Sequence, residues 1–362
     1  MKQDLMPEQP VNPFQTWPKV ELHRHLSGSV RFETWWNIVK QDRARLRTVD
    51  PMKLYHLLTV DGQLGLKDFL KRFDMIDLCF VDAATIEKVT CEAIADAVKE
   101  NIAYLELRFS PTRMARRAGI STSEALEAVI AGRQRAAGFP IEVSLITGLS
   151  RELGVRECAA EAEIIGSFAD RGINGIDLLG NEADYPAAWF APVFQSITCR
   201  NRIGITIHAG EAAGAENVRS AILQLGATRI GHGVRSREDP AVLGLLKERG
   251  VVLEMCPTSN VQTAVVPNLS SHPLAHFLHE GVKVTINTDN PQVSQVDLAH
   301  EYKIATSTLG LSETEIFQTI LYAIEAAFTT DRIKERIKNI LKGFKKELYD
   351  NEKLNNRRHG LQ

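Results

Sequence analysis

Eight short apolar segments, rich in β-branched residues, alternate along this 362-residue chain with longer segments whose apolar residues have a helical spacing. Strands that alternate with helices in this way pair in parallel, because a crossover between parallel strands needs a dozen or more residues. Eight such units predict a closed (β/α)8 TIM barrel of the α/β class. The predicted strands are residues 19–25, 102–109, 141–147, 173–179, 203–207, 229–233, 251–255 and 282–287.

The length alone would suggest about two domains, but a single α/β barrel commonly reaches this size. No linker or low-complexity tract divides the chain, so we predict one barrel domain over residues 1–362. Residues 31–100 are predicted to be a mostly helical insertion after the first strand, which forms part of the wall of the substrate site. Residues 312–350 are predicted to add C-terminal helices.

The composition is that of an ordinary globular chain, with 44% hydrophobic and 24% charged residues. Its 43 Lys+Arg and 45 Asp+Glu give a net charge of −2, so no nucleic-acid or membrane partner is expected. There is no apolar run of membrane-spanning length and no apolar signal-peptide core in residues 1–17. With 5 scattered cysteines, these features predict a cytoplasmic location; the oligomeric state is not indicated.

Polar residues suited to metal binding and proton transfer follow several of the predicted strands. Because the catalytic groups of such barrels lie at the carboxyl ends of the strands, we expect these residues to converge on one site. Three histidines and a carboxylate make a plausible zinc set that leaves one position for water, whose pKa zinc lowers. The strand-end residues are His23, His25, 180–182, His208, Glu211, His232, Asp289 and Asn290.

The spacing of several strand-end residues favours a site, although each has a structural alternative. His23 and His25 lie on one face of a strand, where they can hold one metal ion; two exposed histidines on an edge strand are the alternative. His208 ends a strand three residues before Glu211, which suits a metal ligand beside a free carboxylate. A buried, hydrogen-bonded histidine is the alternative there. His232 lies between two glycines that allow close approach of a bound group, and a turn histidine is the alternative.

Phe69, Leu70 and Phe73 lie on one face of a predicted helix within the insertion. Core packing is the usual explanation of such an apolar stripe, and an apolar wall or lid over a site is the alternative. The remaining histidines are predicted to be surface or packing residues; they are His56, His272, His276, His279, His300 and His359.

Five segments together resemble the adenosine deaminase family of metal-dependent amidohydrolases, in order and with plausible spacing. Each segment is a weak signal alone, but their combination is highly specific. They are His23-Arg24-His25, Ile207-His208-Ala209-Gly210-Glu211, Arg229-Ile230-Gly231-His232-Gly233, Cys256-Pro257-Thr258-Ser259-Asn260 and Asn287-Thr288-Asp289.

The resemblance implies a (β/α)8 barrel that binds one zinc ion and a purine nucleoside. It implies that Glu211 protonates purine N1, that His232 orients and deprotonates the attacking water, and that Gly180 offers its backbone N–H to purine N3. The implied zinc ligands are His23, His25, His208 and Asp289. The residues that match the apolar wall over the substrate are Phe69, Leu70 and Phe73.

Two positions depart from the usual pattern of the family and leave the substrate open. Ser27 stands where adenosine deaminases commonly carry an aspartate that holds the ribose 5′-hydroxyl. Asn290 stands where the second aspartate of an Asp-Asp pair contacts purine N7. Because an amide also donates a hydrogen bond, Asn290 can keep the N7 contact.

The sequence therefore predicts a zinc-dependent hydrolase of purine metabolism. Its expected reaction converts a 6-aminopurine nucleoside to the 6-oxo nucleoside (inosine) and ammonia. Adenosine and 2′-deoxyadenosine are the favoured substrates. A deaminase of a 5′-modified adenosine, such as aminodeoxyfutalosine, methylthioadenosine or an AMP derivative, is the alternative. A catalytically silent nucleoside-binding relative is less favoured, because Glu211, His232 and all the implied metal ligands are present.

Overall fold

The computed structural model of the chain describes residues 12–42, 46, 48–200 and 203–359. Eight parallel strands form one sheet, in which each strand is hydrogen-bonded to the next along the chain. The predicted (β/α)8 barrel is confirmed. The strands are β1 Lys19–His25, β2 Ile102–Phe109, β3 Glu142–Ser150, β4 Ile173–Leu179, β5 Gly204–Ala209, β6 Arg229–His232, β7 Val252–Met255 and β8 Val284–Ile286.

Helices connect the strands on the outside of the barrel, and α1 to α5 lie together between β1 and β2. Their bounds are α1 Phe32–Asp42, α2 Pro51–Leu58, α3 Leu66–Leu70, α4 Arg72–Ile76, α5 Ala83–Lys99, α6 Pro111–Ala118, α7 Thr122–Arg135, α8 Gly154–Gly166, α9 Ala191–Arg200, α10 Ala215–Leu223, α11 Pro240–Arg249, α12 Pro257–Gln262, α13 Leu274–His279, α14 Pro291–Ser294, α15 Leu298–Ser307, α16 Glu313–Ala326 and α17 Asp331–His359. Capping boxes start α5, α7 and α16, because the N-cap and N3 side chains bind each other's backbone N–H groups. Among the described residues, no helix combines the length and apolarity needed to cross a bilayer.

Several observed boundaries differ from the predicted ones by one to three residues. β3 continues to Ser150, because its pairing with β4 extends to the end of that strand. β8 ends at Ile286, since the backbone soon afterwards enters a left-handed conformation at Asp289. The predicted helix over residues 68–73 is divided between α3 and α4 by Lys71. Lys71 itself keeps helical dihedral angles (φ −62°, ψ −23°), so the apolar stripe is preserved.

The barrel closes where β8 meets β1, at the carboxyl ends of the two strands. Asp289, just beyond β8, forms an isolated parallel bridge with Arg24. The Asp289 carbonyl accepts the N–H of His25 (2.8 Å), and the Asp289 N–H donates to the carbonyl of His23 (2.9 Å). The closure therefore runs through residues that the sequence predicts as metal ligands.

The interior of the barrel contains a cluster of buried charged side chains. Arg108 of β2 donates to Asp177 of β4 and to Glu254 of β7, each at 2.7 Å. These strands are not neighbours in the sheet, so the contacts cross the interior. Arg229 of β6 forms ion pairs with Glu106 of β2 and with Glu254. Because buried charges are tolerated only when they are paired, this cluster constrains how the strands face one another.

We expect Arg108→Met to lower the free energy of unfolding by about 3–5 kcal/mol, because it leaves two buried carboxylates without their shared cation. Urea unfolding followed by circular dichroism measures the change. Arg171→Met is the matched control, since Arg171 pairs with Glu127 at the surface and both side chains are about half exposed. Its unfolding midpoint should stay close to that of the unsubstituted protein. Equal midpoints for Arg108→Met and the unsubstituted protein would contradict a stabilising role for Arg108.

Candidate active site

Three imidazoles and one carboxylate converge at the carboxyl ends of β1, β5 and β8. His25 Nε2 lies 3.3 Å from His208 Nε2 and 3.3 Å from Asp289 Oδ1. His23 Nε2 lies 3.6 Å from the same Asp289 oxygen. His23 Nε2 is also buried without a hydrogen-bond partner among the described residues. Four possible ligand atoms therefore surround one small space.

Buried carboxylates orient two of these imidazoles. His23 Nδ1 donates to Glu254 Oε2 at 2.8 Å, and His208 Nδ1 donates to Asp177 Oδ2 at 2.9 Å. Burial alone would raise the pKa of both carboxyl groups, but nearby cationic groups, Arg108 among them, hold these pKa values below the usual range. An ionised carboxylate accepts the Nδ1 proton, so each imidazole presents an unprotonated Nε2 to the site, which is the form that binds a metal.

Two residues of the site have a left-handed backbone, which is uncommon outside glycine. The φ angle is 63° at His232 and 62° at Asp289. Such a conformation costs on the order of 1 kcal/mol or more and persists only where the surroundings fix it. At Asp289 the backbone is held by β1, and Ser259 Oγ donates to Oδ2 at 2.6 Å. Gly231 is needed before His232, because a Cβ there would lie only 2.9 Å from His23 Cε1.

Glu211 lies beside the ligand atoms, and its Oε2 is 3.6 Å from His232 Nε2. Burial raises the pKa of Glu211 well above its usual range, and the carboxylates of Asp289 and Glu182 raise it further. Glu182 also accepts three backbone N–H groups of the loop 210–213, at 2.6–2.9 Å, and so fixes the position of Glu211. A buried carboxyl group that keeps its proton can donate it to a bound molecule.

On its other side, His232 is held by a line of hydrogen bonds. Asn260 Nδ2 lies 2.9 Å from His232 Nδ1, and Asn260 Oδ1 lies 3.1 Å from His272 Nε2. The N–H of Leu274 donates to His272 Nδ1 at 3.3 Å. His272, for which the sequence predicts a surface or packing position, is therefore buried and connected to His232 through one residue.

A cavity of about 460 Å³ opens over these groups, a volume suited to a small molecule. Among the implied zinc ligands, His23 alone does not line the cavity, and its side chain is buried. Gly180 has a φ of 104°, and a Cβ there would overlap the carboxylate of Glu152. The predicted residues that line the cavity are His25, Ser27, Phe69, Leu70, Phe73, Gly180, His208, Glu211, His232, Asp289 and Asn290.

Ser27 and Asn290, the two positions that depart from the family pattern, both line this cavity. Ser27 Oγ donates to Asp77 Oδ1 at 3.0 Å, and the buried Asp77 is ion-paired with Arg113. A buried carboxylate thus stands directly behind the serine. The side chain of Asn290 packs on Gly28, where an added Cβ would overlap Asn290 Oδ1, so only glycine leaves room for it.

Sequence reasoning missed the residues that support the site from behind. Asp177 and Glu254, which orient two histidines, lie inside the apolar strands β4 and β7. Arg151, also missed, donates to the carbonyl of His208 at 2.6 Å. For Asp177 and Glu254, the available signal was a charged residue flanked by apolar ones within a strand, because such a residue needs a buried partner.

The sequence and the fold resemble known deaminases over most of their length. The profile of the family described as "Adenosine deaminase" matches residues 18–343. The adenosine deaminase of Klebsiella pneumoniae (strain 342) is 38% identical over 331 residues, which cover 90% of this chain and 98% of that protein. The N6-mAMP deaminase of Arabidopsis is 29% identical with a TM-score of 0.82, covering 91% of this chain and 99% of that chain. Arabidopsis ADAL complexed with IMP is 28% identical with a TM-score of 0.81, covering 92% and 98%.

These similarities include every segment that carries the predicted ligands and acid–base residues. A relative that is 38% identical across nine-tenths of the chain excludes the alternative that this is an unrelated barrel whose histidines cluster by coincidence. The chain therefore belongs to the adenosine deaminase family and is a hydrolytic deaminase.

Proposed function

We propose that the protein holds one zinc ion and hydrolyses the C6–amino bond of a 6-aminopurine nucleoside. Adenosine and 2′-deoxyadenosine are the favoured substrates. Water enters and ammonia leaves, so that the product is the 6-oxo nucleoside, inosine or 2′-deoxyinosine. The observation that carries the proposal is the convergence of three imidazole nitrogens and one carboxylate beside the buried Glu211. We also propose that the chain, residues 1–362, forms one barrel domain whose helices over residues 31–100 build part of the substrate-site wall. Of this prediction, residues 1–11, 43–45, 47, 201–202 and 360–362 lie outside the described residues.

The distances between the candidate ligand atoms support zinc. Ligand atoms that each lie about 2.0–2.1 Å from one zinc ion are separated from one another by roughly 3–4 Å. The Nε2 atoms of His25 and His208 are 3.3 Å apart, and Asp289 Oδ1 lies 3.3 Å from His25 and 3.6 Å from His23. Imidazole and carboxylate donors also suit this metal. When bound, zinc supplies a Lewis acid that makes a hydroxide nucleophile available near neutral pH.

Glu211 is proposed to deliver a proton to purine N1. Protonation of N1 makes the adjacent C6 more electrophilic, so it assists the attack of water at that carbon. The raised pKa of Glu211, caused first by burial, keeps the proton on the carboxyl group until substrate is bound. The hydrogen bonds from the loop to Glu182 keep Glu211 in place.

The remaining lining residues are proposed to position the substrate. His232, whose Nε2 faces Glu211, orients the attacking water. Phe69, Leu70 and Phe73 form an apolar wall against the purine. Gly180 offers its N–H to N3, Asn290 donates to N7, and Ser27 lies at the 5′ end of the ribose.

A nucleoside 5′-monophosphate is the second candidate substrate. Two relatives of known structure, 29% and 28% identical, are named for N6-mAMP or are complexed with IMP. Arg113, Arg116 and Arg117 of α6 line the cavity and keep 39–58% of their side-chain surface exposed. Cations at this edge would attract an anionic 5′ group. Because Arg113 is already paired with the buried Asp77, the free 5′-hydroxyl remains the first candidate.

We expect elemental analysis of dialysed protein to find one zinc ion per chain. His208→Ala should lose the metal and the turnover together, because it removes one imidazole ligand and so weakens zinc binding. His276→Ala, which changes an exposed histidine, is the matched control and should keep both. Two metals per chain, or full turnover by protein that holds none, would contradict the proposed centre.

We expect Glu211→Gln to lower kcat by at least about 10²-fold, because the amide keeps the size of the side chain but cannot deliver the proton. The zinc content should stay unchanged, since Glu211 is not a proposed ligand. Glu216→Gln, on the exposed start of α10, is the matched control for the same chemical change. A near-normal kcat in Glu211→Gln would mean that another group protonates the ring.

We expect adenosine and 2′-deoxyadenosine to be deaminated and 5′-modified analogues to be accepted unusually well. The panel should include methylthioadenosine, AMP and N6-mAMP, with release of the amine measured for each. Ser27→Asp should shift kcat/KM towards the free 5′-hydroxyl, because it adds a second carboxylate beside Asp77 and repels an anionic 5′ group. Ser27→Asn introduces a side chain of the same size as that of Ser27→Asp but without its charge, so it separates the effect of size from the effect of charge. Identical preferences in all three proteins would show that the 5′ end is recognised elsewhere.

A further inference from the structure

The hydrogen bonds behind His232 have only one consistent direction. The line begins at a backbone N–H, that of Leu274, which can donate but cannot accept. It donates to His272 Nδ1 at 3.3 Å, so this nitrogen carries a lone pair. Burial, together with the Arg237 guanidinium, lowers the pKa of His272 to about 3, so the ring is neutral and its single proton is on Nε2.

The position of that proton determines the orientation of the Asn260 amide. His272 Nε2 must donate, so the atom of Asn260 that faces it at 3.1 Å is the carbonyl oxygen Oδ1. The amide nitrogen Nδ2 then faces His232 Nδ1 at 2.9 Å and donates to it. His232 Nδ1 is therefore an acceptor, and the proton of the neutral ring is on Nε2, the nitrogen that faces Glu211.

We infer that His272 is a positioning residue which acts through Asn260 to hold His232 as the tautomer with its proton on Nε2. The three side chains are almost completely buried, with 5%, 0% and 1% exposure for His272, Asn260 and His232 respectively, so water does not compete for these bonds. The effect on rate rests on the proposed deamination, whereas the tautomer itself does not depend on it.

This tautomer changes the role of His232 from the one that the family resemblance implies. An Nε2 that already carries a proton can donate a hydrogen bond to the oxygen of the attacking water, but it cannot take a proton from that water. His232 therefore orients the nucleophile. Of the two residues to which the resemblance assigns acid–base catalysis, Glu211 is therefore the one that transfers protons.

The tautomer can be read directly from 15N NMR spectra of the zinc-loaded protein labelled at histidine, since protonated and unprotonated ring nitrogens have separate chemical shifts. The His232 signals are assigned as those lost in His232→Asn. The expected result is a protonated Nε2 and an unprotonated Nδ1. The opposite pattern in the unsubstituted protein would overturn the inference, whatever the enzyme is found to deaminate.

Two substitutions test whether the line of hydrogen bonds is the cause. Asn260→Asp places a carboxylate, which can only accept, against His232 Nδ1; it should move the proton to Nδ1 and lower kcat on the order of 10²-fold or more. His272→Phe removes the donor that orients the Asn260 amide. It should give a mixture of tautomers and lower kcat by roughly 10- to 100-fold, with a smaller change in KM.

A rescue variant and a control distinguish positioning from general packing. His272→Gln carries an amide N–H that can replace the Nε2–H, so it should restore the tautomer and most of kcat. His276→Phe makes the same change as His272→Phe at an exposed site of α13 and should alter neither. Zinc content and unfolding midpoint are measured for each protein. If folded, zinc-loaded His272→Phe kept the tautomer and kcat of the unsubstituted protein, the inference would be wrong. If the tautomers behave as expected but no purine is deaminated, the proposed function fails and the inference stands.

Discussion

The Arg108 guanidinium is the group on which both the barrel interior and the site depend. It donates to Asp177, Glu254 and the carbonyl of Leu22, each at 2.7 Å, and so joins β1, β2, β4 and β7 across the interior. The two carboxylates that it neutralises are the same ones that accept the Nδ1 protons of His208 and His23. Without a buried cation, those carboxylates would be protonated or would not be buried, and neither state would orient the imidazoles.

At the seam of the barrel, where β8 meets β1, one residue likewise serves both the fold and the site. Asp289 closes the barrel through its backbone and offers Oδ1 to the site through its side chain. Its left-handed conformation is unfavourable by itself, and it is stabilised by the contacts with β1 and by the hydrogen bond from Ser259. A metal bound at this point would hold β1 and β8 together, because His23 and His25 lie on one side of the seam and Asp289 on the other. Metal binding and closure of the barrel are therefore expected to be thermodynamically coupled.

The sequence predicted the eight strands to within a few residues, because each is a short apolar run with a helix after it, and this pattern depends only on local sequence. The sequence also predicted that the residues at the strand ends converge on one site, since a parallel barrel places all carboxyl ends on one face. The supporting groups could not be predicted in this way. Nothing local to Asp177 or Glu254 says which histidine each one meets, and the link from His272 through Asn260 to His232 joins residues that are distant along the chain. Such pairings are set by the closed barrel.

The 5′ end of the substrate site shows how a charge can be replaced from another part of the fold. The family pattern has an aspartate where this chain has Ser27, yet the carboxylate of Asp77, directly after α4, lies 3.0 Å behind the serine hydroxyl. The Ser27 hydroxyl donates its only proton to Asp77, so it faces the cavity as an acceptor for a hydroxyl group. Arg113 compensates the charge of Asp77 from the other side. The serine therefore combines two properties: it can accept a hydrogen bond from a free 5′-hydroxyl, and it keeps the carboxylate one side chain further from any larger 5′ group.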